Sequence, residues 1–390
     1  EDMSVWLSTT MIQALRNLVD LFTYYFETLG NMIEGMFDLL GSCLCQENDT
    51  LAKIGSSCLQ QLIEDNINKL NYNHWRKLSK MFARLFKSTT PYKLLDDAHH
   101  YRNAAKEVAE QIARQEIESK DGNDNKDDND NINDDENGKE RERIKSSDES
   151  EPSNGRSSVT ETDVEATTTH EVLLRKQNVK IELSEERKEE FNDIIVKCIH
   201  QIVLIDTVKE LIGKDAVFEA MPVDQILVIA ECLHTSHLFA RKFNARMDVR
   251  VALWRIGFMN QLPNLLKQET ISAVYYFEFL TKLQKDGDDR LLSKKDEVKN
   301  KLVSFISHIL KQFSTMEPDN QNKNVIAWSP VVTSVLEAYI DLGDNDFRHY
   351  LSEIYPDAIN LLSREISSDV RMALHNFLLR TGLLYNIVQG

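Results

Sequence analysis

The chain has 390 residues, room for two or three hydrophobic cores, and 42% hydrophobic against 28% charged residues is ordinary for a soluble protein. Only 13 Gly and 7 Pro argue against a turn-rich β fold, and a net charge of −17 argues against general nucleic-acid binding, which needs a basic footprint. Much of that charge is local: Asp121 to Glu151 hold eight Asp and five Glu against five Lys or Arg, so cationic patches can exist elsewhere.

The opening Glu1-Asp2-Met3 reads as mid-helix, so the chain is expected to be a region of a longer protein, with no targeting segment visible. Val5 to Leu29 and Met32 to Cys45 carry apolar residues at helical spacing, with Gly30 and Asn31 predicting a break between a first helical pair. Asn48-Asp49-Thr50 offers a cap for a helix from Leu51 to about Ile67. Another helix is predicted over His74 to Lys87, and Pro91 ends that unit. Leu94 to Glu118 reads as a longer, more polar helix, taken to cap the first unit rather than to lie on a membrane.

From about Ser119 the composition changes. Asp, Asn, Ser, Glu and Gly dominate, aromatics are absent, and 119–171 is expected to be disordered because it cannot bury enough apolar surface. Val179 to Leu183 alternates like a strand without a partner and is taken as an extended lead into a long helix capped by Ser184. Pro222 sits where a first-turn proline belongs, ahead of a helix over Val223 to Leu233. A cationic segment follows, then helices at Val249 to Phe258 and Ile271 to Leu283, and a turn at 286–289. Later helices are expected over Val298 to Phe313, Val325 to Ile340, Phe347 to Ile366 and Val370 to Leu384. None sustains heptads.

Helices therefore recur about every twenty residues. The predicted fold is all-α, a HEAT/armadillo-like helical-repeat solenoid with a disordered acidic insert: lobes at 1–118 and 172–390, joined by 119–171. Stacking can continue across a looped-out insert, so the linker need not separate the lobes in space.

Chemistry is sparse. Five cysteines, an odd number on apolar helical faces, suit a reducing compartment rather than a disulfide framework. Cys43, Cys45 and Cys58 lack a matching second pair for zinc and read as packing, as do Cys232, His234 and His237. GxxxxGK[ST], GxGxxG and GxSxG do not occur, so no catalytic, cofactor or metal residue is singled out. The longest apolar run, Ile194 to Ile205, is too short and too polar to span a bilayer. The one candidate contact is cationic: Arg241, Lys242, Arg246 and Arg250, opposed only by Asp248. On a continuous helix Lys242, Arg246 and Arg250 share a face and would suit an acidic partner or an anionic membrane surface. The competing reading is intramolecular pairing with carboxylates such as Glu231.

Three stretches resemble the large brefeldin A-inhibited-type Arf guanine-nucleotide exchange factors of the Golgi. They are Phe26 to Leu62, with Cys45-Gln46-Glu47-Asn48-Asp49-Thr50 and Cys58-Leu59-Gln60-Gln61-Leu62; Met221 to Phe258; and Pro263-Asn264-Leu265-Leu266-Lys267-Gln268-Glu269-Thr270. The resemblance lapses at the acidic insert, whose low complexity suggests a fungal version. In that family these are helical-repeat regions downstream of the catalytic exchange domain. The resemblance implies a non-catalytic regulatory region, peripheral on trans-Golgi membranes, responding to Arf-, Arl- or Rab-type small GTPases and self-associating as a homodimer. The alternatives are a structural oligomerisation scaffold without GTPase contact, or a related Golgi scaffold lacking an exchange domain.

Overall fold

Side chains placed just ahead of helices fix where several of them begin. Asn48 accepts from the Leu51 amide at 3.1 Å, Ser184 from Arg187 at 3.3 Å, and Ser367 from Val370 at 3.3 Å. Asn71 and His74 close a reciprocal capping box. Each bond satisfies an amide that the first helical turn leaves without an intrahelical acceptor. The caps at Asn48 and Ser184 are the expected ones.

The computed structural model describes residues 2–121, 183–285, 288–291, 294–316 and 318–388. Among the described residues there are fourteen helices of six residues or more and no strand. In chain order these are α1 (Asp2–Tyr24), α2 (Ile33–Leu44), α3 (Asp49–Asp65), α4 (Tyr72–Thr89) and α5 (Ala98–Asp121). Then come α6 (Glu185–Ile212), α7 (Asp215–Ala220), α8 (Val223–Asn244), α9 (Met247–Arg255) and α10 (Leu266–Lys285). The last four are α11 (Lys295–Ser314), α12 (Pro318–Ile340), α13 (Asp344–Asn360) and α14 (Ser368–Leu384). Residues 122–182, most of the stretch expected to be disordered and all but Leu183 of the strand-like one, lie outside the described residues; α5 itself runs through 119–121. Of the turn expected at 286–289, 286–287 lie outside as well, and Asp288–Leu291 is a single helical turn.

Neighbours in space follow the chain. α2 packs on α3 and α4, α4 on α8, α8 on α10, α10 on α11 and α12, α11 on α13, and α12 on α14. α6 lies against α3, α4 and α10, while α5 packs on α9. One continuous set of buried apolar side chains runs from Leu15 in α1 to Phe377 in α14, and a smaller set joins α5, α9 and the start of α6. Helices from before and after 122–182 thus share a core.

A buried polar relay stitches that junction. Gln201 on α6 is fully buried and donates to the Phe86 carbonyl and to Thr89 Oγ1, both at 2.8 Å on α4. It accepts from Ser236 Oγ on α8 at 2.7 Å, and Ser236 Oγ accepts from Gln268 on α10 at 2.9 Å. A buried amide leaves water without penalty only when its donors and acceptor are matched, so the relay specifies how four helices meet.

The break expected near Gly30 is present: α1 ends at Tyr24, a helical turn at Phe26–Leu29 and a 3₁₀ turn at Gly30–Met32 follow, and α2 starts at Ile33. Both helices pack on α3, where Gln61 donates to Asp20 and Asn66 to Thr23 of α1 while Gly55 faces Leu40 and Cys43 of α2, so the chain turns back along α3. One expectation changes: α8 continues to Asn244 instead of ending near Leu233, because Ser236 and His237 are buried on its inner face with partners of their own. α9 then stops at Gly257, where φ is +84° and the Phe258 amide reaches back to the Leu253 carbonyl at 3.0 Å.

Candidate interaction site at the junction of α8 and α9

The four sequence-predicted cations split into two pairs. Arg241 lies on the last turn of α8, half-buried, and its guanidinium donates to the His308 ring of α11. Arg250 on α9 is also half-buried: Nε donates to the Pro263 carbonyl at 2.7 Å and Nη1 to the Asn244 carbonyl at 3.0 Å. It clamps the end of α8 to the loop before α10. Lys242 is exposed. Arg246 forks onto Asp248 with two bonds of 2.9 Å, and Arg102 on α5 reaches the same carboxylate at 3.4 Å.

The shared cationic face does not form. α8 ends at Asn244 and Arg246 caps α9 with non-helical angles, φ −92° and ψ 72°, so the i, i+4 register is interrupted between Lys242 and Arg246. Glu231, the expected partner, instead meets His234 at 3.7 Å and Lys301 at 3.4 Å.

The carboxylate that organises the junction is Glu269, on the first turn of α10 and 4% exposed. Asn244 Nδ2 donates to its Oε2 at 2.5 Å and Gln312 Nε2 to its Oε1 at 2.8 Å. Burial raises its pKa; the two amide bonds and the charges of Arg241 and Arg250 oppose that rise. Burial in turn lowers the pKa of both guanidinium groups, with Glu269 opposing. Asn244 Oδ1 also accepts from the Leu265 amide at 2.7 Å, so one side chain ties the end of α8 to the start of α10. Pro263 to Thr270 read as a loop and helix start and carry part of the resemblance; nothing in their periodicity marks Glu269 as interior.

Cys232, His234 and His237 do not converge on a ligand. The Cys232 thiol donates to the Val228 carbonyl, and burial pushes its pKa up to about 12. His237 donates from Nδ1 to the Glu269 carbonyl at 2.9 Å, and burial drops its pKa to about 3. His234 stacks on Tyr276, ring centroids 4.6 Å apart. Cys43, Cys45 and Cys58 carry thiols whose pKa burial raises, as expected for packing rather than reactivity. Among the described residues no group of His, Cys, Asp and Glu is arranged to hold a metal.

Beside the junction lies an apolar groove of about 280 Å³ that sequence reasoning missed. α6 supplies Ile195, Ile199 and Ile202, α8 supplies Phe243, and the loop after α9 supplies Phe258 and Met259. Pro263, whose carbonyl Arg250 holds, forms part of the same wall. Three distant stretches build it, so no local pattern reveals it. The junction offers no nucleophile with an adjacent base. It offers an exposed cation, a half-exposed guanidinium and an apolar groove.

Residues 199–379 match the family model of the BIG2 C-terminal domain. The chain belongs with the C-terminal region of the Sec7/BIG-type Arf exchange factors. It is 31% identical to ADP-ribosylation factor guanine nucleotide-exchange factor SEC7 of Saccharomyces cerevisiae over 99% of this chain and 20% of that protein. To sec72 of Schizosaccharomyces pombe, of the same description, it is 30% identical over 99% of this chain and 19% of that one. To human brefeldin A-inhibited guanine nucleotide-exchange protein 1 it is 26% identical, over 98% and 21% respectively. The chain thus spans about a fifth of the length of these relatives. No solved structure matches. No helix among the described residues is long and apolar enough to cross a membrane.

Proposed function

We propose that this chain is a non-catalytic regulatory region of an Arf guanine-nucleotide exchange factor, acting as a helical-repeat scaffold. The observation that carries the reading is the extent of the match: nearly all of this chain, but about a fifth of relatives whose names describe exchange on ADP-ribosylation factor. In this reading the region binds membrane-attached small GTPases of the Arf, Arl or Rab type at the late Golgi. It thereby raises the effective concentration of the exchange domain near its substrate. It also associates with a second copy of itself.

The partner surface is the outer side of the α8–α9 junction, with Lys242 and Arg246 as contact residues beside the apolar groove. Arg241 and Arg250 serve it from beneath, as braces for the backbone. The test is capture of the purified chain on liposomes carrying single Golgi GTPases, each loaded with GTP or GDP. GTP-dependent capture that falls at least tenfold in Lys242→Glu/Arg246→Glu is the expected result. Capture by no GTPase sinks the recruitment reading, and capture unaffected by the double charge reversal moves the contact elsewhere.

A further inference from the structure

From Asn66 to Leu95 the chain has seven Lys or Arg and no Asp or Glu, a local reversal in a molecule of net charge −17. Five of these cations lie on α4: Arg76, Lys77, Lys80, Arg84 and Lys87. Of the fourteen described helices, α4 alone has no carboxylate. At 3.6 residues per turn the five share one side of the helix, opposite the buried Leu78, Phe82 and Phe86. The apolar spacing that predicts this helix says nothing of that other side.

Two of the five are paired. Lys77 meets Glu34 of α2 at 3.2 Å, and Arg84 meets Asp38 of α2. The other three lie on the α8 side of the stripe, and all are exposed. Arg76 donates to Asn73 of its own helix at 3.3 Å. Among the described residues neither Lys80 nor Lys87 has a hydrogen-bond or ion-pair partner. Beside them a groove of about 410 Å³ runs between α4 and α8. Ala83, Phe86 and Tyr92 line it from one side and Val228 and Cys232 from the other, with Lys87 among the lining residues. Val228 is 39% exposed and Tyr92 46%, so apolar surface stands open next to unpaired positive charge.

The shape of the charge selects the occupant. The stripe is one helix wide. Glu34 and Asp38 of α2 border it on one side. Asp224, which accepts from Tyr72, and Glu231, which lines the groove, border it on the α8 side. Axes of packed helices lie about 8–10 Å apart. A plane of anionic headgroups, or the phosphates of a duplex, would cover all three helices and press those carboxylates against like charge. A single acidic chain covers the stripe alone. Arg76 and Lys87 are roughly 16 Å apart along the axis, the length of about five extended residues.

We propose that this face of α4 docks an extended acidic segment of a partner protein, with carboxylates on Arg76, Lys80 and Lys87 and an apolar side chain in the groove. The surface is separate from Lys242 and Arg246. The test is fluorescence anisotropy with a labelled probe, a short peptide of Asp and Glu with one central leucine, titrated with the full chain at low ionic strength. Lys80→Glu/Lys87→Glu, at two exposed positions, is expected to stay helical by circular dichroism and to weaken binding at least tenfold. Lys242→Glu/Arg246→Glu carries the same change in net charge and is expected to leave binding unchanged. Serine in place of the probe's leucine, or Val228→Ser in the protein, should each weaken it severalfold, because less apolar area is buried. No binding of the probe, or binding that survives Lys80→Glu/Lys87→Glu, overturns the proposal. A matching loss of co-sedimentation with phosphatidylserine vesicles in that variant overturns it too, by making the face a membrane contact. Carbodiimide cross-links from Lys80 or Lys87 to residues 121–151 in the free chain would overturn it by assigning the face to the chain's own acidic tract.

Discussion

At the scale of single residues, the chemistry of this chain is the chemistry of burial. Glu269, His237 and His308 sit close to Arg241 at the point where α8, α10 and α11 meet. Burial, then the charge of Arg241, drops the His308 pKa to about 4, and burial drops that of His237 to about 3. Both lie below the ordinary value of about 6.5, so above pH 6.5 the rings are neutral in either state and full stability is present. As pH falls below 6.5 the unfolded chain takes up protons that the folded chain refuses, and stability is lost down to the folded values. Glu269 works the other way: its raised pKa lets the folded chain take a proton early as pH falls. Two histidines outweigh one carboxyl group whose rise in pKa four partners oppose. The expected result is a net loss on the order of 2 kcal/mol between pH 7 and pH 5, read as a lower urea midpoint. A midpoint that does not move over that interval would show that these rings are not neutral in the folded protein.

At the scale of helices, close approaches are set by particular small residues. α2 and α3 cross where Gly55 meets Cys43: a Cβ on Gly55 would lie 2.7 Å from Cys43 Cβ and 3.3 Å from the Leu40 carbonyl oxygen. Gly55 is mid-helix, where alanine would ordinarily be favoured by about 1 kcal/mol. The contact reverses that sign. Gly55→Ala is expected to lower the melting temperature, with a net cost of about 1–2 kcal/mol from overpacking. Cys43→Gly in the same chain should restore part of it. Failure of that rescue would put the strain on the Leu40 carbonyl. The stretch around Cys45 and Gly55 was noted for its resemblance, and its spacing marked a helix. That Cys43 touches Gly55 depends on the angle at which two helices meet, which periodicity does not encode.

At the scale of the whole molecule, the acidic tract interrupts the sequence and not the core. α4 meets α6 and α8, α5 meets α9, and the Gln201 relay ties both sides together. A protease site inserted within 122–182 should therefore yield two fragments that stay bound after cleavage and elute together from a sizing column. Two separate elution peaks at native pH would mean that the shared core is too weak to hold them. The division at 119–171 was legible as a change of composition. Which helices face each other across it was not, because the partners lie more than a hundred residues apart along the chain.

What the sequence determined by itself are the properties set within one or two turns of helix. These are the all-α class, the starts at Asn48 and Ser184, the lack of a phosphate-binding or nucleophile motif, and the resemblance to the C-terminal region of large Arf exchange factors. A helix and its cap are local, so periodicity and a capping side chain suffice to announce them. What only the tertiary structure decided are the partners. It turned Arg241 and Arg250 inward, left Lys242 outside, made Glu269 interior and turned the chain back along α3 between α1 and α2. The environment of a charged or apolar side chain is fixed by whatever segment arrives opposite it, and that is a property of packing between distant stretches.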